Sequence, residues 1–116
     1  MNLVIIDYGS GNLRSVENAF KNSVQTNKLK FSIQVTNTLD LISKADHLVL
    51  PGVGSFPDCK KGLEDIPGLI KLLTDEVINK RKKFLGICVG MQLMVDYSLE
   101  KSRTEGFSWL DGCLKK

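Results

Sequence analysis

The residues best placed to do chemistry lie in Phe84-Leu85-Gly86-Ile87-Cys88-Val89-Gly90-Met91-Gln92. An apolar run ends at a cysteine with a glycine two residues to either side, and Met91, Leu93, Met94 and Val95 then begin a helix-like pattern. A nucleophile on a sharp strand-to-helix turn stands exposed, and small neighbours let the turn close. Gly86 and Gly90 supply that room. A thiol at the first turn of a helix meets partial positive charge, which favours the attacking thiolate form. The main-chain N–H of Val89 then points to where an oxyanion would form. The competing reading is a buried cysteine packed as a small hydrophobe.

Two further segments accompany the cysteine. Pro51-Gly52-Val53-Gly54 carries two glycines, which reach backbone conformations closed to other residues. A flexible peptide beside a cysteine elbow could swing an N–H into an oxyanion hole, although alone the segment reads equally as a plain turn after a strand. Asp7-Tyr8-Gly9-Ser10-Gly11-Asn12 is the turn after the first strand. Its glycines open a helix as a phosphate loop would. But no third glycine follows in phase and no Walker lysine appears, which disfavours a nucleotide-binding module.

The elements that must position these segments can be read from hydrophobic spacing. Leu3 to Ile6 is a continuous apolar run, expected as a strand buried on both faces. Leu13, Val16, Ala19 and Phe20 predict a helix to about Ser23. Phe31, Ile33 and Val35 alternate as a second strand, and Asn37-Thr38 caps a short helix through Ser43. His47 to Leu50 is a third strand, stopped by Pro51. Pro57 and Pro67 bracket a loosely helical stretch, and Gly68 to Lys80 presents Leu69, Leu72, Leu73 and Val77 as a helix face. Phe84 to Ile87 is a fourth buried strand. From Ser98 to Lys116 a loop is expected, with an apolar patch at Phe107, Trp109 and Leu110.

Strands alternating with helices predict parallel βαβ units in an α/β fold. Ligands in such sheets sit beyond the carboxyl ends of the strands, so all three unusual segments should meet at one edge. The 116 residues suit one domain, 1–116, and 42% hydrophobic with 25% charged residues is ordinary for a globular chain. The net charge of +3 is mild, and the basic residues are not interleaved with aromatics, which speaks against nucleic acid. The densest run, Lys80-Arg81-Lys82-Lys83, falls where a helix should end, and cations favour that position. No stretch reaches the length of a membrane span, and Met1 to Gly9 does not read as a signal peptide, so a cytoplasmic protein is expected. Three widely spaced cysteines, Cys59, Cys88 and Cys113, argue against a disulfide framework and against a zinc site.

Taken together, Ile6 to Ser15, Leu50 to Phe56 and Leu85 to Gln92 make the sequence resemble the glutaminase subunits of imidazole glycerol phosphate synthases. These are class I glutamine amidotransferases. Gly-Ile-Cys-x-Gly-Met-Gln carries the class, while Asp-Tyr-Gly-x-Gly-Asn and Pro-Gly-Val-Gly-x-Phe narrow it to these subunits. The resemblance implies a parallel sheet with helices on both faces, the flavodoxin-like class I amidotransferase fold, with its C-terminal part missing from this chain. It implies that Cys88 attacks the side-chain amide of glutamine, giving a thioester and ammonia. Val89, and Val53 after a peptide flip near Gly52 and Gly54, would donate the oxyanion N–H groups. Gln92 and Glu100 would hold the amino-acid end of the substrate. Asn12 would lie near the interface with a TIM-barrel cyclase subunit, which takes the ammonia to make imidazole glycerol phosphate. No cofactor and no metal are implied.

Two departures stand out. The family usually has Leu at the position of Val89, where only the N–H is used. More seriously, the family needs a histidine and a glutamate two residues apart, late in the chain, and the sequence here reaches Lys116 without them. Its single histidine, His47, begins a strand whose length of roughly 13–17 Å separates it from the cysteine's end of the sheet. His47 is therefore read as structural. The expectation is a poor glutaminase or none when the chain is alone, with an exposed strand edge and unpartnered Phe107, Trp109 and Leu110 favouring association. A different class I glutaminase, or a non-catalytic domain that only binds the cyclase, are the alternative readings.

Overall fold

The computed structural model describes residues 1–100 and 102–114. Lys101, Lys115 and Lys116 of the expected tail lie outside the described residues. The chain runs β1 (Asn2–Ile6), α1 (Leu13–Thr26), β2 (Ser32–Thr36), α2 (Leu39–Lys44), β3 (His47–Leu50), α3 (Phe56–Glu64), α4 (Leu69–Thr74), β4 (Lys83–Gly86) and α5 (Val89–Gln92). The four strands form one parallel sheet in the order β2-β1-β3-β4. Successive strands go outward in opposite directions from β1, so the order reverses between β1 and β3. That is the flavodoxin-like arrangement, with its ligand crevice beyond the carboxyl ends at the switch point.

The continuous apolar run of β1 is explained by two cores. Leu3 and Ile5 pack with Val16 of α1 and Val49 on one face. Val4 and Ile6 pack with Leu48, Leu50, Ile42 of α2, Leu63 of α3 and Leu69 and Leu73 of α4 on the other. Side chains alternate across a strand, so a strand covered on both faces needs apolar residues throughout. Ser55 caps α3, its Oγ accepting from Asp58 N–H at 3.2 Å, and Pro57 sits in the first turn. The sheet is not covered evenly. β4 is an edge strand, and Leu85 on it is 49% exposed beside a cavity of about 170 Å³ lined by Leu3, Phe20 and Val49. The expected open pairing edge is therefore present.

Several boundaries differ from the reading of the sequence. Helix α1 continues past Ser23 to Thr26, and the Asn27 side chain closes it by donating to the Ser23 carbonyl at 2.9 Å. The expected helix Gly68–Lys80 changes at Asp75 into a π-helical turn, Asp75–Asn79. Within that turn Glu76 is buried (2% exposed) and pairs with Lys82 at 3.3 Å and Lys80 at 3.4 Å. Lys82 also donates to the Ser43 carbonyl at 2.7 Å, so the wider turn ties α4 to the end of α2 and the start of β4.

The tail is not a loop. Short strands β5 (Tyr97–Ser98), β6 (Thr104–Glu105) and β7 (Cys113–Leu114) form a second sheet in the order β6-β5-β7. Phe107 and Trp109 do find partners, against the expectation. They lie 4.7 Å apart between ring centres, Trp109 meets Phe84 edge-on, and its indole N–H donates to Thr74 Oγ1 at 3.2 Å. Leu110 alone of the three stays 52% exposed.

Candidate active site at the cysteine elbow

Cys88 stands between β4 and α5 with φ +54° and ψ −120°, a conformation that L residues with side chains avoid. Holding it costs on the order of 1–3 kcal/mol and needs neighbours that leave no alternative. The glycines supply that constraint. A side chain at Gly90 would collide with the Leu50 carbonyl oxygen, and one at Gly86 would meet the Met91 main chain at 2.7 Å. Both residues let α5 start directly on the ends of β3 and β4. Ile87 N–H extends the ladder to Leu50 O at 2.9 Å, and the Cys88 carbonyl accepts from Met91 and Gln92 to start the helix. The thiol is exposed.

The three segments meet as the topology requires. Gly52 lies against both others: a Cβ there would fall 2.7 Å from Gly90 N and 2.8 Å from the Tyr8 hydroxyl. The Tyr8 hydroxyl donates to the Pro51 carbonyl. Val89 N–H donates to the Gly52 carbonyl at 3.2 Å. In this conformation, then, a carbonyl oxygen of the Pro51–Gly54 loop occupies the hydrogen of Val89 that the sequence assigned to an oxyanion. Gly54 has φ +97°, and Val53 projects outward, 46% exposed.

The remaining expected residues are spread around this centre. Glu100, reached from Ser98 at the end of β5, accepts from Phe56 N–H at 3.0 Å through Oε2. Its own N–H donates to Ser98 Oγ at 3.2 Å. Gln92 closes α5, one turn beyond Cys88. Asn12 precedes α1 without a side-chain cap, and its Oδ1 accepts from Ser10 Oγ at 3.0 Å. His47 pairs in register with Lys83 at the far end of the sheet, whereas Leu50 pairs with Gly86 at the cysteine's end. Its ring packs edge-on to Phe31 at 5.2 Å. Among the described residues no cluster of three His, Cys, Asp or Glu side chains could hold a metal ion, and no helix is long and apolar enough to cross a membrane.

Two residues beneath the loop escaped the sequence reading. Cys59, on α3, directs its thiol to the Val53 carbonyl, sulfur to oxygen 3.4 Å. Tyr8 figures in the sequence only as part of the turn after β1 and of its Asp-Tyr-Gly motif, with no role of its own. Burial pushes the Tyr8 phenol well above its usual range, with Cys59 adding to the effect, and burial also raises the Cys59 thiol. Both groups therefore keep their protons at neutral pH and act as donors. Nothing in their spacing distinguishes them from ordinary core residues.

A parallel sheet in flavodoxin-like order, with a strained exposed cysteine and a glycine loop at the carboxyl ends of its strands, defines a class of protein. Residues 4–107 match the family described as glutamine amidotransferase class-I, and the chain belongs to it. Within that family it is similar to imidazole glycerol phosphate synthase subunit HisH of Brucella suis biovar 1, at 45% identity over all 116 residues and 54% of the relative. The same subunit of Mesorhizobium japonicum is also 45% identical over 116 residues. That of Agrobacterium fabrum is 46% identical over 112 residues, covering 97% of this chain and 52% of its own length. The chain thus spans about half the length of the curated relatives it matches.

Proposed function

We propose that these residues are the nucleophile-bearing portion of a glutaminase subunit of imidazole glycerol phosphate synthase, a cytoplasmic glutamine amidotransferase of histidine biosynthesis. Cys88 sulfur attacks the side-chain amide carbon of glutamine. The C–N bond breaks, ammonia leaves, and a thioester remains, which water hydrolyses to glutamate. Turning over the Gly52–Val53 peptide removes the Gly52 carbonyl from Val89 and presents the Val53 N–H on the same side. Two main-chain donors then face the developing oxyanion. Gln92 and Glu100 hold the amino-acid end of glutamine. Asn12 contacts the TIM-barrel cyclase, which receives the ammonia.

The observation that carries this reading is the exposed Cys88 at positive φ, one residue from an amide already paired with the loop that must turn. The thiol proton must be taken up and delivered to the leaving nitrogen by an acid–base group within about 3 Å, and His47 lies a strand length away. The one histidine of these 116 residues is out of that reach, so the chain alone is expected to turn over glutamine poorly or not at all. The test is glutamate release from glutamine by the purified chain with the cyclase subunit. The reading predicts a rate far below that of an intact amidotransferase, restored when a polypeptide carrying the histidine and glutamate pair is supplied. Full turnover without that polypeptide contradicts it.

A second reading is favoured by the position of His47: a domain that binds the cyclase without catalysis. It predicts cyclase binding that survives Cys88→Ala and no restoration of turnover by the added polypeptide.

A further inference from the structure

We propose that Tyr8 and Cys59 are positioning residues that confine movement of the Pro51–Gly54 loop to one peptide, Gly52–Val53. The inference rests on the glutaminase reading above for its purpose, but its geometry stands separately. The carbonyl before that peptide, Pro51 O, accepts from the Tyr8 hydroxyl. The carbonyl after it, Val53 O, accepts from the Cys59 thiol at 3.4 Å. Downstream, Phe56 N–H is held by Glu100 at 3.0 Å and Ser55 caps α3. Between the two anchored carbonyls lies the Gly52 carbonyl, paired with Val89 N–H at 3.2 Å.

Rotating ψ of Gly52 and φ of Val53 in opposite senses turns this peptide over and leaves both flanking carbonyls where they are. Loss of either anchor would let the loop drift as a whole instead, and the donors would no longer converge beside Cys88. The anchors are themselves fixed. A Cβ at Gly62 of α3 would lie 2.8 Å from the Tyr8 carbonyl oxygen and 3.1 Å from its ring, so the helix that carries Cys59 rests directly on Tyr8. Behind the loop a cavity of about 80 Å³, lined by Tyr8, Gly9, Ser10, Val53, Asp58 and Cys59, gives the peptide room to turn.

The test is amide hydrogen exchange, read by NMR on the whole chain, for Tyr8→Phe, Cys59→Ala and Cys59→Ser. Local opening exchanges an amide without unfolding the core. Tyr8→Phe and Cys59→Ala should speed exchange at Val89 by about 10-fold while Val4 and Ile5 in β1 stay unchanged. Cys59→Ser keeps a donor and should stay near the unaltered chain. Unchanged Val89 exchange in Tyr8→Phe and Cys59→Ala would overturn the proposal. So would acceleration shared equally by Val4 and Ile5, or a Cys59→Ser chain that behaves like Cys59→Ala. A glutamine-shaped chloroketone applied to the unaltered chain separates the two readings. Failure to label Cys88 removes the glutaminase reading and leaves the exchange result to decide the anchoring.

Discussion

At the carboxyl ends of β1, β3 and β4 the chain is held by main-chain groups and by absent side chains. Gly52, Gly86 and Gly90 let three segments cross at van der Waals distance, and neutral donors from Tyr8 and Cys59 fix the loop between them. At the opposite end of the same strands, charged side chains do the fastening. Glu76 is buried against Lys82, which is 11% exposed and reaches the last carbonyls of α2. The difference follows from what each end must do. Under the proposed function the cysteine's end develops negative charge on a substrate oxygen, which fixed main-chain dipoles stabilise. The other end only has to close the fold, where a buried pair specifies one geometry at little net gain.

If the cysteine's end depends on the absence of side chains, Gly90→Ala should be the most damaging change. Its methyl group overlaps the Leu50 carbonyl, and a loss of at least about 4 kcal/mol in urea unfolding, or failure to fold, is expected. Near-normal stability would show that the crossing is looser than described. At the other end, Glu76→Ala leaves Lys82 buried without its carboxylate. The Ile42 and Ser43 carbonyls still receive the ammonium, so the cost should be near the low end for such pairs, about 3 kcal/mol by the same measurement. A loss below about 1 kcal/mol would mean the pair behaves like a surface one, and the contrast between the ends would collapse.

The next effect is a pH dependence from the neutral donors. Tyr8 and Cys59 are both raised by burial above their unfolded values, 10.0 and 9.0. The folded chain thus keeps protons that the unfolded chain releases, and its stability should fall as pH rises beyond about 9. Stability that stays level to about pH 10 would place these groups in water. The smallest effect is a gain. Cys88→Gly removes a side chain from φ +54° and should stabilise the chain by about 1 kcal/mol while abolishing its reactivity. A loss of stability would argue that the elbow is relaxed.

The sheet was legible in the sequence because Leu3–Ile6 of β1 and Leu48–Leu50 of β3 are unbroken apolar runs, as strands covered on both faces require. The elbow was legible because Gly86 and Gly90 stand where the crowded backbone admits no side chain. Glu76 was not. Its burial depends on Lys82 arriving from the next strand and on a π-helical turn that helical spacing at Leu69, Leu72 and Leu73 does not foretell. The small second sheet was missed because two-residue strands such as Tyr97–Ser98 carry no period to detect, and its support comes from Phe107 and Trp109 packing on the main core. The Gly52 carbonyl on Val89 N–H is a conformational choice of one peptide, to which residue types are blind.

The central claim is that Cys88 is a poised nucleophile whose surroundings are shaped for glutamine. Its most direct test is the rate at which each of the three cysteines reacts with a glutamine-shaped chloroketone, followed by mass spectrometry against a chloroketone of equal reactivity that lacks the amino-acid end. The account predicts that Cys88 reacts first and that the glutamine-shaped reagent is faster there, with Cys59 untouched in the folded chain. Equal rates for the two reagents at Cys88, or Cys113 reacting ahead of it, would contradict the account.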